Sequence, residues 1–353
     1  MRAGLLINSN FVTNGKGLSN GPFLIMTKAS FHFDALTPDT MWYALESIGI
    51  RAESGFLALN SYENRVYQFI DEERQRYVVK FYRPQRWSVE QIQEEHDFTR
   101  ELYAAEIPIA EPLLINGATL HHYQGYHFAL FNSVDGRQFE VDNMDQLEGV
   151  GRFLGRIHHI SATRTFVHRP TISLDEYLYQ PKQLLENASF IPLHLQNTFF
   201  SDLSLLINKI EQQWPAKSAA IRLHGDCHPG NILWRDGPMF VDLDDARNGP
   251  AVQDLWMLLN GELQDKRMQL DIILESYQEF HDFNPAELKL IEPLRGLRMV
   301  YYMAWLAKRW QDPAFPLAFP WFNDPKYWES QVLAFKEQIA ALDEPTLSLM
   351  PQW

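Results

Sequence analysis

The 353-residue chain is long enough for two lobes or domains, and its 46% apolar and 13% aromatic content excludes a disordered chain. The formal net charge of −14 argues against a protein that binds nucleic acid or an anionic membrane over a broad surface. The single cysteine, Cys227, excludes an intramolecular disulfide and a cysteine-based zinc cluster, and no apolar run reaches the length of a membrane span.

The first 26 residues are interpreted as a flexible N-terminal extension. Residues 1–25 are rich in Asn, Gly and Ser, and a brief Leu5-Leu6-Ile7 run with one early basic residue makes a poor signal peptide. Met26 is an alternative start of the protein. We therefore expect a cytoplasmic protein whose folded part begins at residue 27.

A β-hairpin is predicted early in the first lobe. Val66–Ile70 and Tyr77–Tyr82 are rich in β-branched and aromatic residues and flank a charged turn. Strand periodicity places Lys80 on the same face as Val78. A lysine at this position is either solvated or held by a specific anionic partner, because lysine is rarely buried unpaired.

A helix is predicted to begin after Ser88, because Gln91 three residues later completes a capping box. The apolar stripe of this helix contains Glu95, whereas Glu94 lies about 100° around the helix. A glutamate among inward-facing apolar side chains needs a cation, and Lys80 is the candidate. We therefore expect Glu95, rather than Glu94, to form the lysine–glutamate pair that positions nucleotide phosphates in kinases.

A phosphate-binding loop is expected just before the lysine strand. Residues 59–66 contain no glycine, so the prediction relies on a nest of backbone N–H groups and on the Ser61 hydroxyl. An ordinary hairpin turn is the alternative interpretation of the same residues.

The boundary between the two lobes is predicted after the strand Tyr126–Phe131, in a loop where the composition changes. We therefore assign residues 27–135 to a nucleotide-binding N-lobe and residues 136–353 to a catalytic and substrate-binding C-lobe. Because clefts between lobes are favoured ligand sites, adenine is expected against the backbone of residues 130–133.

The most informative pattern of the chain lies at residues 223–242, in a second lobe that is otherwise mostly helical. Asp226 is followed by Asn231 and then by Asp242, the latter two beside short apolar strands. Phosphoryl transfer requires such a set, with one carboxylate as base for a hydroxyl and oxygen ligands for Mg²⁺. The Gly237-Pro238 turn predicts a hairpin that brings Asn231 and Asp242 together. A polar loop between two strands is the alternative.

Other polar residues of this region have secondary or open roles. His224 is expected to fix the backbone of the loop. Asp254 either caps the following helix or reaches back to the amides of the loop. Asp244 and Asp245 are candidates for outer positions or for the acceptor side. Cys227 raises a redox-sensor hypothesis, against which a small buried residue is the simpler interpretation, because reactivity needs exposure and a lowered pKa.

Three segments together resemble the aminoglycoside phosphotransferase/choline kinase-like branch of the protein-kinase-like superfamily, and within it bacterial Ser/Thr protein kinases of the stress response. They are residues 59–69, 78–83 and 223–259, and the resemblance extends over about residues 27–350. It implies an α+β, bilobal, protein-kinase-like fold with a β-rich N-lobe and a mostly helical C-lobe. The absence of an Ala-Pro-Glu segment in the second lobe is a departure from eukaryotic-type protein kinases.

The resemblance also implies roles for the residues identified above. Asp226 would be the proton acceptor, Asn231 and Asp242 the Mg²⁺ ligands, and Ser61 a nucleotide contact, with ATP as co-substrate. The expected function is a monomeric, ATP-dependent Ser/Thr protein kinase that acts on protein substrates. A small-molecule kinase acting on an aminoglycoside, choline or homoserine hydroxyl is the alternative, and an acidic acceptor pocket would suit a cationic substrate. A nucleotide-binding module without catalysis is disfavoured, because every expected catalytic group is present.

Overall fold

The computed structural model describes residues 33–215 and 220–349, so the extension predicted at residues 1–26 lies outside the described residues. The chain forms a β-rich N-lobe followed by a mostly helical C-lobe, as the α+β prediction requires. Within the described ranges, no helix is both long and apolar enough to cross a membrane.

A five-stranded antiparallel sheet forms the N-lobe. Its strands are β1 (Leu57–Ala58), β2 (Arg65–Ile70), β3 (Arg76–Phe81), β4 (His121–Tyr123) and β5 (Tyr126–Asn132). They lie side by side in the order β1-β2-β3-β5-β4. β2 and β3 are the hairpin predicted from the sequence, with Val66 paired to Lys80. Phe69, Val79 and Phe128 are fully buried and join the strands to the hydrophobic core of this lobe.

Two helices complete the N-lobe, α1 (Pro38–Glu46) and α2 (Val89–Ala104). α2 begins where the sequence predicted, because the Ser88 hydroxyl accepts from Gln91 N at 3.2 Å and the Gln91 side chain accepts from Ser88 N at 2.9 Å. Glu95 lies on its buried face, and Phe98 extends into the core of the C-lobe. α2 therefore packs against both lobes.

The C-lobe consists mainly of helices around one large apolar core. They are α3 (Met144–Ser161), α4 (Gln180–Asn187), α5 (Leu193–Gln213), α6 (Gln253–Trp256), α7 (Leu263–Tyr277), α8 (Ile291–Arg309), α9 (Ala314–Ala318) and α10 (Pro325–Ala341). A π-helical turn, Asp175–Tyr179, leads directly into α4.

Glycines of α3 let this helix lie very close to α7. A Cβ atom at Gly151 would come within 2.3 Å of Ser276 Oγ, and one at Gly155 within 2.3 Å of the Tyr277 carbonyl oxygen. Both distances are far below van der Waals contact, so a larger side chain would push the helices apart. The close packing places His158 of α3 beside Tyr277.

Two small antiparallel sheets of the C-lobe carry the motif at residues 223–242. In the first, β7 (Ile221–Leu223) pairs with β10 (Arg247–Gly249); in the second, β8 (Ile232–Trp234) lies between β6 (Arg137–Gln138) and β9 (Pro238–Phe240). β8 and β9 form the predicted hairpin, in which Trp234 is paired with Pro238. The residues before β8 and after β9 consequently meet at one end of the hairpin.

Candidate active site

The loop between β7 and β8, residues 224–231, carries Asp226 and Asn231. Gly225 has a φ angle of 85°, in the left-handed region that favours glycine. A Cβ atom at this position would lie 2.0 Å from the Asp245 carbonyl oxygen. Glycine is therefore required both by the turn and by the close approach of the backbone that follows β9.

Asp254 fixes this loop from the interior of the C-lobe. Its carboxylate accepts hydrogen bonds from the backbone N–H groups of His224 at 2.7 Å and Gly225 at 2.9 Å. The same carboxylate lies 3.2 Å from His158 Nε2, whose other ring nitrogen lies 2.9 Å from the Tyr277 hydroxyl. Asp254 was predicted either to cap the following helix or to bind the amides of the loop, and the structure shows that it binds the loop. His158 is a buried residue with a partner at each ring nitrogen.

Asp226 lies between two basic side chains. Its Oδ1 atom lies 2.6 Å from Nη1 of Arg298, and its Oδ2 atom lies 3.5 Å from Nε2 of His228. Burial alone would raise the pKa of Asp226, but the hydrogen bond from His228 and the charge of Arg298 hold it well below its usual range. The carboxylate is therefore ionised at neutral pH.

The hairpin brings Asn231 and Asp242 to the same end, as predicted. Val241 N donates to the Asn231 carbonyl oxygen at 3.0 Å, and His224 Nε2 lies 3.0 Å from the Val241 carbonyl oxygen. Asn231 Nδ2 donates to the backbone oxygen of Asp226 at 3.0 Å, so its amide oxygen is the atom left for a ligand. Asp242 has a φ of 61°, a backbone conformation rare outside glycine and frequent at functional sites.

The Lys80 ammonium is buried among three carboxylates. Its Nζ atom lies 3.0 Å from Asp244, 3.1 Å from Asp242 and 3.7 Å from Glu95. Burial alone would lower the pKa of Lys80, but the charges of these three residues raise it well above its usual value. Of the two predicted environments for Lys80, solvated or paired with an anion, the structure has the paired one. Asp244, a candidate for an outer position or for the acceptor side, is one of its direct partners.

Glu94 and Glu95 bind different partners. Glu94 accepts hydrogen bonds from three successive backbone N–H groups at residues 167–169, at 2.5, 2.9 and 2.7 Å. Glu95 accepts from Arg169 Nη2 at 2.5 Å and lies beside Lys80. Glu94 therefore fixes the loop that carries Arg169, whereas Glu95 is the glutamate next to the lysine.

Three arginines of the site were not identified from the sequence. Arg169 donates to the Asp244 backbone oxygen at 2.6 Å, and Arg86 lies 2.9 Å from the Asp244 carboxylate. Arg298 is the partner of Asp226. Arg298 and Asp226 are 72 positions apart in the chain, and Arg86 and Asp245 are 159 positions apart, so no local pattern could have revealed these contacts.

The loop that contains Ser61 is attached to the C-lobe. The Ser61 hydroxyl donates to the Asn64 carbonyl oxygen at 3.4 Å. Glu63 accepts from Trp305 Nε1 at 2.5 Å and from Arg309 Nη2 at 2.8 Å, both on α8. The loop without glycine is therefore held by side chains of the opposite lobe.

Two clefts meet at this cluster. The inner cleft, about 340 Å³, is lined by Lys80 and by residues 131–133 of the adenine position predicted at residues 130–133. The outer cleft, about 400 Å³, is lined by Asp226 and by aromatic side chains of α8. Both volumes suit small-molecule or side-chain ligands. The two clefts share the residues Asn60, Ser61, Gly230, Asn231 and Asp242.

The wall between the clefts offers a donor set that fits a hard divalent cation. Asp242 supplies a carboxylate that is half exposed, and Asn231 supplies an amide oxygen. Among residues 33–215 and 220–349, no group of three or more His, Cys, Asp or Glu side chains could hold a metal alone. In nucleotide sites Mg²⁺ is usually bound by one or two carboxylates together with substrate phosphates.

Cys227 is fully buried in the core of the C-lobe. Burial, and then the negative charges of Asp254 and Asp226, raise the pKa of its thiol well above the usual value. A protonated and inaccessible thiol has little reactivity, so the structure supports the small buried residue rather than the redox sensor.

Comparisons with known proteins agree with this geometry. Residues 56–291 match the model of the phosphotransferase enzyme family. The chain is 56% identical over 328 residues to stress response kinase A of Escherichia coli strain K12, covering 93% of this chain and 100% of that protein. It is equally similar to the serine/threonine protein kinase RdoA of Salmonella typhimurium strain LT2, with the same coverage.

Solved structures show the same fold at lower identity. The amicoumacin kinase hAmiN, in complex with AMP-PNP, Ca²⁺ and Ami, has a TM-score of 0.64 at 19% identity, covering 82% of this chain and 88% of that one. A microcompartment-associated aminopropanol kinase also has a TM-score of 0.64, at 16% identity, covering 86% and 95%. The bilobal, kinase-like α+β fold is thereby confirmed, and the chain belongs to the phosphotransferase enzyme family.

Proposed function

We propose that this kinase transfers the γ-phosphoryl group of MgATP to Ser or Thr hydroxyls of protein substrates, with Asp226 as the proton acceptor. One observation carries the proposal. Lys80 lines only the inner cleft and Asp226 only the outer one, while the wall common to both contains Asn231 and Asp242. A phosphoryl group that moves from one cleft to the other must pass these two residues.

The inner cleft fits a nucleotide. Apolar side chains of Val66, Val78 and Leu233 line the part that would contact adenine. The buried Lys80 ammonium supplies the positive charge for the phosphates, and Glu95 holds the ammonium in place. Ser61 lies where both clefts meet, which supports its assignment as a contact of the nucleotide phosphates.

Asn231 and Asp242 would hold Mg²⁺ together with the phosphates of the nucleotide. When bound, Mg²⁺ supplies neutralisation of the charge that develops on the transferred phosphoryl group. The chain itself contributes the positions of these two oxygen ligands, which the β8–β9 hairpin and the Val241–Asn231 hydrogen bond keep side by side.

Asp226 would orient the acceptor hydroxyl and take its proton on a carboxylate oxygen. Arg298 and His228 keep the carboxylate ionised, so it is available as an acceptor. Asp254 holds the loop backbone around it, which fixes the carboxylate relative to the wall between the clefts. Positioning and electrostatics, rather than covalent catalysis, would supply the rate enhancement.

A protein acceptor is favoured over a cationic small molecule by the pairing of the acidic side chains in the outer cleft. Asp244 lies between Lys80 and Arg86, and Asp245 lies 2.7 Å from Arg86 and 3.0 Å from Arg247. These carboxylates are therefore neutralised by the protein itself. A relative that is 56% identical is named a serine/threonine protein kinase, which supports the same choice. The monomeric state and the cytoplasmic location stay predictions from the sequence.

Labelling of a cell extract tests this function. Purified enzyme, labelled ATP and Mg²⁺ are incubated with the extract, and the labelled molecules are identified by mass spectrometry, with Asp226→Asn enzyme as the control. We expect phosphoserine or phosphothreonine in proteins, present with the wild-type enzyme and absent with the variant. Label confined to small alcohols such as aminoglycosides or choline would replace the protein-kinase proposal with the small-molecule alternative.

A further inference from the structure

A third pocket, about 410 Å³, lies between the segment that follows β3, α4 and α8. Four cationic side chains line it, and the carboxylate of Glu176 is the one acidic group among its lining residues. The four cations are Arg83, Arg86, Lys308 and Arg309. We call this the basic pocket.

The carboxylates that pair with these cations lie outside the lining of the basic pocket. Glu63, which lies near Arg83, Arg86 and Arg309, lines the outer cleft and does not line the basic pocket. Glu176 already forms an ion pair with Arg247 at 3.0 Å. Arg83 also pairs with Asp312 at 2.7 Å, and Arg86 pairs with Asp244 at 2.9 Å and with Asp245 at 2.7 Å; none of these three carboxylates lines the basic pocket. The arginines of the pocket are therefore paired with carboxylates that lie outside its lining.

Lys308 is the cation most available to a ligand. It is exposed, and within residues 33–215 and 220–349 its ammonium forms no hydrogen bond or ion pair. Although the side chain is exposed at the pocket rim, neighbouring atoms desolvate the ammonium in part, and this, followed by the charges of Arg309 and Arg86, lowers the pKa of Lys308. Burial and the charge of Arg86 likewise lower the pKa of Arg309 to about 9, despite its contact with Glu63. An anion in the pocket would be attracted chiefly by Lys308, with a smaller contribution from the arginines, whose charges are already paired.

The basic pocket adjoins the outer cleft. Arg86, Tyr301 and Trp305 line both spaces, so these three side chains form the partition between them. An extended peptide with its hydroxyl at Asp226 would reach the basic pocket by crossing this partition. Residues a few positions from the hydroxyl in sequence are then the ones that enter the pocket, because an extended chain advances about 3.3 Å per residue.

We propose that the basic pocket binds an anionic side chain of the protein substrate, a carboxylate or a phosphate, close in sequence to the hydroxyl that is phosphorylated. The inference rests on the proposed function and adds a substrate class to it. Guanidinium groups bind carboxylates and phosphates through paired hydrogen bonds, and an ammonium beside them adds a point charge. The kinase thus selects acidic or previously phosphorylated sequences.

A peptide library tests the selection. Ser- and Thr-centred peptides carry Asp, Glu, phosphoserine or Ala at each flanking position in turn, and kcat/KM is measured for wild-type enzyme and for Lys308→Glu. We expect the wild-type enzyme to prefer the anionic peptides at one position. The ratio of kcat/KM for anionic over alanine peptides should fall about tenfold in the variant, as for the loss of one charge-assisted contact. Comparison of the Asp/Glu and phosphoserine arms distinguishes the two anions.

Lys289→Glu is the matched control, because it makes the same charge change at the other end of α8. Lys289 is exposed on the turn that precedes α8, roughly 28 Å along the helix axis from Lys308. This variant should keep the wild-type selection. Equal selection in Lys308→Glu and wild type, or no preference for anionic peptides in the wild type, would overturn the proposal.

Direct binding separates this inference from the proposed function. Inorganic phosphate is titrated into enzyme saturated with MgADP, and binding is followed by calorimetry for the wild type and both variants. Phosphate binding that is about tenfold weaker in Lys308→Glu supports the basic pocket, even if no peptide is phosphorylated. A lack of peptide phosphorylation would contradict only the protein-kinase function. Phosphate binding that is absent, or unaffected by Lys308→Glu, overturns the pocket. Phosphate binding that depends on Lys308, without any preference for anionic peptides, overturns the proposal that the pocket binds a side chain of the protein substrate.

Discussion

Charged side chains on the nucleotide side of the site and on the acceptor side differ in their burial and in their ion-pair partners. On the nucleotide side, the Lys80 side chain is 7% exposed and touches three carboxylates, two of which are themselves held by buried arginines. On the acceptor side, Asp226 is held by Arg298, whose side chain is 45% exposed. A buried charge must be paired, whereas an exposed one need not be. The nucleotide half is therefore part of the folded core, and the acceptor half is a surface adapted to a ligand.

The largest effect expected from this contrast is a loss of catalytic rate with little change in the free energy of unfolding. Asp226→Asn should lower kcat for phosphoryl transfer by about 10³-fold, the contribution of a general base. The affinity for MgATP and the free energy of unfolding should change little, because Arg298 can turn to solvent. Transfer of labelled phosphate, nucleotide titration and urea unfolding measure the three quantities. Asp236→Asn, in the exposed turn of the same hairpin, should match the wild type. Full turnover in Asp226→Asn would remove Asp226 from the mechanism.

On the nucleotide side, a substitution should cost both activity and stability. Lys80→Met leaves the carboxylates of Asp242, Asp244 and Glu95 without their shared cation, and breaking a buried pair costs about 3 kcal/mol. We expect the urea midpoint to fall and ATP-dependent transfer to be lost. Lys336→Met is the control, since Lys336 is exposed and lies 4.0 Å from Asp202, so this long pair should contribute less than about 1 kcal/mol. A Lys80→Met protein as stable as the wild type would contradict the contrast between the two sides.

A smaller loss of stability is expected when the pH is lowered. His96 lines the inner cleft, between the Tyr82 hydroxyl at 2.7 Å and Thr119 Oγ1 at 2.9 Å. Burial, and then the charge of Lys80, lowers the pKa of His96 to about 3. The unfolded chain, with an ordinary pKa near 6.5, binds the proton first, so stability present above pH 6.5 is lost as the pH falls towards 3.

Between pH 6.5 and pH 5 this group alone should lower the free energy of unfolding by about 2 kcal/mol. His96→Gln should remove that part of the pH dependence, whereas His122→Gln, at an exposed position of β4, should retain it. Urea unfolding at the two pH values provides the measurement. The same pH dependence in His96→Gln and wild type would show that His96 is not held neutral.

The smallest effect is expected at Cys227, which follows the proposed base directly in sequence. Because its thiol is buried and protonated, peroxide treatment should leave the activity of the wild-type enzyme unchanged, and Cys227→Ala should retain activity within about twofold. Activity before and after peroxide, with mass measurement of the intact protein, decides the question. Oxidation at Cys227 that lowers activity in the wild type but not in the variant would restore the sensor hypothesis.

The sequence predicted those parts of the fold that local patterns determine. The Ser88 capping box placed the start of α2, the Gly237-Pro238 turn placed the β8–β9 hairpin, and helical periodicity separated Glu95 from Glu94. Each depends on residues within about one helical turn or one hairpin of each other. α1 was not predicted, although Thr37 caps it through the N–H of Thr40.

The rest of the site depends on contacts between distant segments. Nothing near Asp244 in sequence shows that it would contact Lys80, because the contact exists only after the lobes have packed. Arg169, Arg86 and Arg298 come from three separate segments, and each meets its partner through tertiary structure alone. The sequence therefore predicted the reaction better than it predicted the surroundings of the reacting groups.

The attachment of the Glu63 loop to α8 has a consequence for the order of events in the cleft. The helix that binds Glu63 through Trp305 and Arg309 also lines the outer cleft, and the loop that carries Glu63 contains Ser61, which lines both clefts. An acceptor that shifts α8 would also shift this loop, and through the loop it would alter the affinity for nucleotide. By thermodynamic reciprocity the nucleotide alters the affinity for that acceptor by the same factor, so ATP and substrate each influence the binding of the other.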